Sequence, residues 1–345
     1  MSKVQKYLSV LALSLAGGSI YLIPYIRYVF YDYQMAAMGI TNQQIGLLST
    51  VFGIGAMILY APGGIAVDRL STKKCLLISL IATTILTVIY AFCFHSYVIS
   101  LVIWFLFSIS TVFVFWCALI KTIRLVGNSD EQGFIFGLYY MGNGLTGAAV
   151  NGIAIWAFRF SNDVTQQFSN AVLIYAAATA VAAIAVFFLV KEDREKSEAL
   201  KVNEFRTDQV MALLKNPVVW VFSLIIFAGY SIYSSTSYFT PYLTNVVGLS
   251  AADSGVLSIL RTYIFYIITP FAGIFCDKVF KSTSKFFSIM FLILAALFAG
   301  VMAIPATAGS GVVSLYSLLP GLFGLALYGI IFSIATETKI PIIAM

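Results

Sequence analysis

Ten apolar runs, each about 20 residues or more, follow one another along this chain with only short polar loops between them. They fall at residues 7–38, 42–67, 75–94, 97–126, 133–158, 168–190, 217–246, 251–276, 286–306 and 311–336. A run of that length crosses a hydrocarbon core as a helix. The runs lack period-two alternation, and lipid offers backbone groups no outside partner, so helices are expected and strands are not. The chain therefore reads as an all-α, multi-pass protein whose main partner is the lipid bilayer. Its charged content of 10% agrees, because a soluble domain would carry about a quarter.

The net charge of +6 would suit nucleic acid if the basic residues formed a patch, but they do not. Lys3 and Lys6, then Arg69, Lys73 and Lys74, then Lys121 and Arg124, the basic residues from Lys191 to Lys215, and Lys278, Lys281 and Lys285 all lie at one end of the spans. The opposite loops offer little beyond Arg159. This is the positive-inside bias, which places both chain ends in the cytoplasm of a bacterial inner-membrane protein and excludes nucleic acid as a partner. Lys3 and Lys6 imitate a signal peptide, but the run from Tyr7 passes Arg27 without a small-residue cleavage site and reads as a retained helix.

A hydrophilic stretch, residues 191–216, divides residues 1–190, with six spans, from residues 217–345, with four. Its mixed charges suit a solvated cytoplasmic linker. The part from Thr207 to Lys215 is expected to lie on the membrane as a short helix before Pro217. Cys75, Cys93, Cys117 and Cys276 stand singly, and the one histidine is His95. No metal cluster, cofactor site or nucleophile–base set is implied, so an enzyme is not expected.

One motif occurs twice. Gly64-Ile65-Ala66-Val67-Asp68-Arg69, followed by Lys73 and Lys74, returns 209 residues later as Gly273-Ile274-Phe275-Cys276-Asp277-Lys278, followed by Lys281 and Lys285. Each copy joins two long apolar runs, and internal repeats are the sequence mark of transporters built from two half-bundles. This loop pattern, with the six-helix half and charged linker, resembles the major facilitator superfamily along essentially the whole chain. The resemblance implies two pseudo-symmetric halves, a monomer, and a secondary transporter that takes a small solute by alternating access, with or without a coupling ion. It also implies that Gly64, Asp68, Arg69, Lys73, Lys74, Gly273, Asp277, Lys278, Lys281 and Lys285 form gating loops at the cytoplasmic ends. Because that superfamily normally has twelve spans, the resemblance further leads one to expect a second half lacking two helices.

The intramembrane charges are the candidate site. Arg27 and Arg261 each fall roughly 15–16 Å in from the outer surface, near half depth. A charge there is costly and is by default functional, although either arginine can also snorkel or bond a helix-end carbonyl. Two guanidiniums facing one cavity would fork a carboxylate, phosphate or nitrate. Asp32 is the one moderate candidate for proton coupling, and His95 reads as interfacial. Tyr21, Tyr25 and Tyr28 fall on neighbouring turns of span one. In span seven Tyr230, Ser234, Ser237 and Tyr238 are expected on one helical face, with a bend at Pro241. Lys121 and Arg124 with Asp130, Glu131, Gln132 and Gly133 read as a cytoplasmic gate or anchor.

Tyr25-Ile26-Arg27, with Ile45-Gly46, is similar to the organic-anion branch of the superfamily, although that branch often has an acid where Ile26 stands. Gly142-Asn143-Gly144 with Gly147 resembles the span-five stretch of nitrate/nitrite carriers, but the arginine those carriers keep in span two is absent. The same glycines also suit plain close packing of helices. The Gly-Pro signature of drug–proton antiporters is missing from span five. The expected substrate is thus an organic anion of sugar-acid or carboxylate type, with nitrate/nitrite exchange, or an inactive truncated carrier, as the alternatives.

Overall fold

The computed structural model describes residues 3–126, 132–191, 215–304 and 308–328, and for residues 68, 69, 132–134, 270 and 277 the backbone alone. Every regular element among the described residues is helical. The side chains of Asp68, Arg69 and Asp277, the linker from residue 192 to 214, Asp130, Glu131 and the end of span ten beyond Tyr328 lie outside this description. The chain divides into two compact units, Met1–Val202 and Asn203–Met345.

Eight of the described helices are long and apolar enough to cross a membrane. Span five, Gln132–Ala157, is also 26 residues long, and span one has the length but is broken in two. Polar side chains start these helices where the sequence supplies them. Thr41 and Gln44 form a capping box at span two, Asp163 accepts from Thr165 and Gln166 at span six, and Asn216 caps span seven with Pro217 behind it.

In the first unit span three runs against span six, and span one against spans five and six. The shared core holds Leu13, Ala16, Ile20, Leu76, Leu80, Phe115, Leu119, Tyr139 and Val186. Lipid is as apolar as leucine, so this core gains close packing and interhelical hydrogen bonds more than removal from water. Spans one and five show how. Gly17 faces the Tyr139 hydroxyl, and a Cβ on Gly18 would stand 2.6 Å from the Asn143 carbonyl. Ser14 donates to the Tyr139 carbonyl at 3.2 Å, and Asn143 Nδ2 to Tyr139 Oη at 2.9 Å. Large apolar side chains such as Phe92, Phe188 and Leu292 point outward, as a lipid-facing surface requires.

In the second unit span ten, Ser310–Tyr328, is the common neighbour, packing on spans seven, eight and nine. Its core includes Phe286, Phe287, Met290, Leu294 and Leu327.

Besides span four, which contains a π-turn at Ile109–Phe113, three spans expected as continuous helices are interrupted. Span one runs Lys3–Ile20, turns through residues 21–26, and resumes as Arg27–Met38. Span seven runs Pro217–Ser235, tightens into a 3-10 turn at Thr236–Tyr238, and resumes as Phe239–Asn245. Span eight runs Ala251–Thr262, passes through a 3-10 stretch at Ile264–Ile268, and resumes as Thr269–Phe275. Each break includes or adjoins the residue four before a proline, namely Ile20 for Pro24, Ser237 for Pro241 and Tyr266 for Pro270. Proline has no N–H for that carbonyl, and its ring crowds it. Proline alone does not decide the matter, because Pro62 and Pro320 sit inside helices that continue. In span seven the hydroxyls of Ser235, Thr236 and Ser237 bond back to the carbonyls of Ser231, Tyr233 and Ser234, which competes with the helical ladder.

Candidate solute-binding site

Both membrane arginines stand at helix breaks. Arg27 is the first residue after the turn in span one, at the positive end of a new helix, where the dipole disfavours a lone cation and favours an anion. The N–H groups of Tyr28, Val29 and Phe30 are already taken by the carbonyls of Tyr25 and Ile26. What remains distinctive at this point is therefore the guanidinium beside the Tyr28 ring. Arg27 is half-buried, with its guanidinium carbon 5.8 Å from the centre of the Tyr28 ring. Tyr25, 39% exposed, packs on Tyr28 at 5.3 Å and on Phe52 at 5.8 Å. Tyr21 lies 6.4 Å from Tyr25 and edge-on to Phe115 and Trp116. The tyrosine row expected from a continuous helix thus survives its interruption. Asp32 is half-buried on the same helical segment as Arg27.

Tyr21 also ties this turn to span four. Its hydroxyl donates to the Thr111 carbonyl at 3.0 Å, inside a π-helical turn at Ile109–Phe113. Ser110 of the same turn accepts from Thr83 of span three at 2.9 Å, and Gly63 of span two lies directly against the Phe113 carbonyl. A wide turn loosens the helical ladder and leaves carbonyls to neighbours. Here three other spans use it.

Arg261 ends the first segment of span eight, in the last turn, where a cation suits the helix dipole. Unlike Arg27 it is 0% exposed and enclosed by its own unit. Nη2 donates to Thr240 Oγ1 at 3.0 Å, and the guanidinium carbon lies 5.6 Å from the centre of the Phe239 ring. Its Nε and Nη1 have no hydrogen-bond partner. Gly321 of span ten presses on its aliphatic stem, where a Cβ would collide. The expectation of an arginine open to a cavity differs from what is found here: within its own unit Arg261 has no exposed surface. Sequence reading missed Phe239, Thr240 and Gly321. The available signal was the hydroxyl-rich stretch ending beside Pro241.

The proposed face of span seven also changes. The 3-10 turn buries Ser237, whose hydroxyl serves Ser234, and leaves Tyr238 57% exposed. Tyr230, Ser234, Ser237 and Tyr238 therefore do not line one surface. Tyr230 instead joins Tyr328 of span ten.

At the repeated loops, helix capping carries the likeness. Ser71 accepts from the backbone N–H of Lys74, and Ser282 from that of Lys285, each starting the next span. The second loop has two more residues between its aspartate and this serine. They are taken up by a π-turn at Cys276–Phe280, which includes Lys278, and by Lys281 in left-handed geometry at φ 52°. Lys73 Nζ donates to the Phe187 carbonyl at 2.7 Å, holding the last turn of span six. Gly64 faces Cys117, and Gly273 lies in the helix before the π-turn.

The Major Facilitator Superfamily profile matches residues 8–339. The chain belongs to that superfamily. It is an integral, multi-pass membrane protein with the superfamily's transporter fold. Over 277 residues it is 30% identical to the inner membrane protein YqcE of Escherichia coli K12, covering 78% of this chain and 64% of that relative. Over 298 residues it is 27% identical to the inner membrane protein YihN of the same organism, covering 85% and 70%. The chain thus spans just under two thirds of YqcE. Among solved structures it resembles a bacterial homologue of the human lysosomal transporter Spinster in an inward-facing, unoccupied conformation. That likeness has a TM-score of 0.70 and 16% identity over 97% of this chain and 76% of the other. A D-xylose–proton symporter gives 0.61 and 15%, over 94% and 79%. At such identities these two show the fold alone.

Proposed function

We propose that this chain is a secondary transporter of a small organic anion, working by alternating access as a symporter or an exchanger, with Arg27 supplying the charge that selects the solute. The carrying observation is the position of Arg27. It is a half-buried guanidinium at the start of the second helical segment of span one, beside the Tyr28 ring. Discontinuous membrane helices whose positive ends meet an anionic group are a recurrent way for transporters to bind solutes.

The acids whose roles are visible elsewhere add weight. Asp163 caps span six, and Asp253 closes a local pair with Ser250 at the start of span eight. Both have structural tasks at helix ends, which leaves Asp32 as the acidic residue within a described first-unit span. Asp32 is the candidate for proton coupling. Against the nitrate-type alternative, Gly142 and Asn143 pack in the seam between spans one and five, which favours the close-packing reading of that stretch. Orientation follows the basic loops, with the chain ends inside the cell.

The test is uptake into proteoliposomes holding the full chain, with D-gluconate, hexanoate, nitrate and neutral D-glucose offered with and without a proton gradient. Uptake of a carboxylate that Arg27→Gln removes is expected. Carboxylate uptake unchanged in Arg27→Gln would sink the reading.

A further inference from the structure

Span eight grips span seven at a single residue, from two sides. Ser254 Oγ donates to the Thr240 carbonyl at 2.8 Å, and Arg261 Nη2 donates to the Thr240 hydroxyl at 3.0 Å. Ser254 and Arg261 stand two turns apart on one face of the same helix, and both are 0% exposed. The guanidinium also lies over the Phe239 ring. Phe239 and Thr240 are the first two residues after the 3-10 turn of span seven. The hydrogen bond and the ring contact of Arg261 therefore both go to the place where span seven begins again.

The far end of this segment is closed as well. Residues 246–250 join the two helices. Within this connection the Leu249 N–H donates to the Leu243 carbonyl at 3.0 Å, and Gly248 turns the chain at φ 80°, a conformation that glycine adopts without a side-chain clash. Phe239–Asn245 and Ala251–Thr262 thus form a helical hairpin tied at its turn and again at Thr240. Beyond the hairpin both chains leave regular α-helix, span seven at Thr236–Tyr238 and span eight at Ile264–Ile268, each in 3-10 geometry. Such stretches within a helix are common hinge points.

A buried guanidinium is a costly way to tie two helices. An apolar side chain of similar volume often holds a core as well or better, and what the charged group adds is a defined arrangement. Nε and Nη1 of Arg261 have no hydrogen-bond partner, so stability does not account for its place. We infer that Phe239–Thr262 swings as one hinged body when the carrier changes conformation, with Arg261 the positioning residue that couples its two helices. The inference rests on the transporter fold and not on the charge of the solute, so it stands or falls apart from the anion reading.

Hydrogen exchange on the full chain in lipid nanodiscs tests this without any solute. In the wild type, amides of residues 236–238 and 263–268 should exchange about tenfold faster than those of Phe239–Asn245 and Ala251–Thr262, as hinges beside a cooperative unit do. Arg261→Met keeps an unbranched stem and removes both contacts. It should raise the melting temperature and yet quicken exchange across Phe239–Asn245 roughly tenfold, as for a lost hydrogen bond, while Thr283–Gly300 stays protected. Arg261→Lys, which can still donate to Thr240, should restore most of that protection. Unchanged exchange across Phe239–Asn245 in Arg261→Met, or slow exchange at both 3-10 stretches of the wild type, would overturn the inference. A fall in both melting temperature and protection would make Arg261 an ordinary packing residue and overturn it too. If Arg261→Met does not fold, Ser254→Ala removes the other bond and no charge. Exchange across Phe239–Asn245 should then quicken with Ala251–Thr262 unaffected, and no change there would count against the hairpin.

Discussion

Arg27 and Arg261 are the same residue type at the same expected depth, each at a break in its helix, yet their surroundings differ. Arg27 opens a helical segment, where the dipole works against it, and is only half-buried. Arg261 closes a segment, where the dipole favours it, and is sealed with two guanidinium nitrogens lacking partners. The first is the proposed anion site. The other stores unsatisfied hydrogen-bonding capacity that a movement of its neighbours would release. Depth alone did not distinguish them; helix polarity and neighbouring small residues did.

The largest expected effect separates their roles. Arg27→Gln should lower carboxylate uptake roughly a hundredfold, since hydrogen bonds to a charged group are worth about 1.5–3 kcal/mol each. The melting temperature in detergent should barely move. Arg261→Gln should do the reverse for stability and raise the melting temperature, because a neutral amide is easier to bury than an under-bonded guanidinium. A higher melting temperature in Arg27→Gln with none in Arg261→Gln would invert the comparison.

Next in size is Gly321→Ala. Its new Cβ collides with the Arg261 stem, and overpacking costs about 1–3 kcal/mol. Residues in contact are not additive. If Arg261 is the obstacle, combining this change with Arg261→Ala should recover most of the lost stability in thermal unfolding. Simple addition of the two losses would show that span ten is disturbed some other way.

Thr240→Val should follow, removing the hydrogen bond between Thr240 and Arg261. Leaving a buried donor unmet costs about 1–3 kcal/mol, and more when it is charged. The same change in an Arg261→Gln background should cost less, and a double-mutant cycle measures the difference.

Much of this was legible from the sequence because membrane physics is simple. Long apolar runs must be helices, and the repeated Gly–Asp loops place two similar turns at matching points. The helix starts at Ser71 and Ser282 follow from ordinary capping chemistry. The breaks were not legible. Pro24, Pro241 and Pro270 coincide with interruptions, but Pro62 and Pro320 do not, so the outcome depends on neighbours that the prolines do not specify. The joint between spans seven and eight was missed for a similar reason. Thr240 sits in a run that reads only as a membrane span, and its meaning appears when span eight brings Ser254 and Arg261 to it.

The smallest expected effect tests how the Arg27 turn is held. Tyr21 is the side chain that links the break in span one to the π-turn of span four, through its 3.0 Å bond to the Thr111 carbonyl. Tyr21→Phe keeps the ring contacts with Tyr25, Phe115 and Trp116 and loses only the hydroxyl. Interhelical hydrogen bonds in membranes average about 0.6 kcal/mol, so the melting temperature should fall by only a degree or so. The local effect should be clearer. A wide turn already lacks a regular ladder, so amide exchange across residues 109–113 should quicken while spans three and six stay protected. Carboxylate uptake should weaken by about threefold, the equivalent of that energy at 298 K. Unchanged exchange in the π-turn would mean that Thr83 and Gly63 hold it by themselves, and that the two helix irregularities of the first unit are neighbours without being coupled.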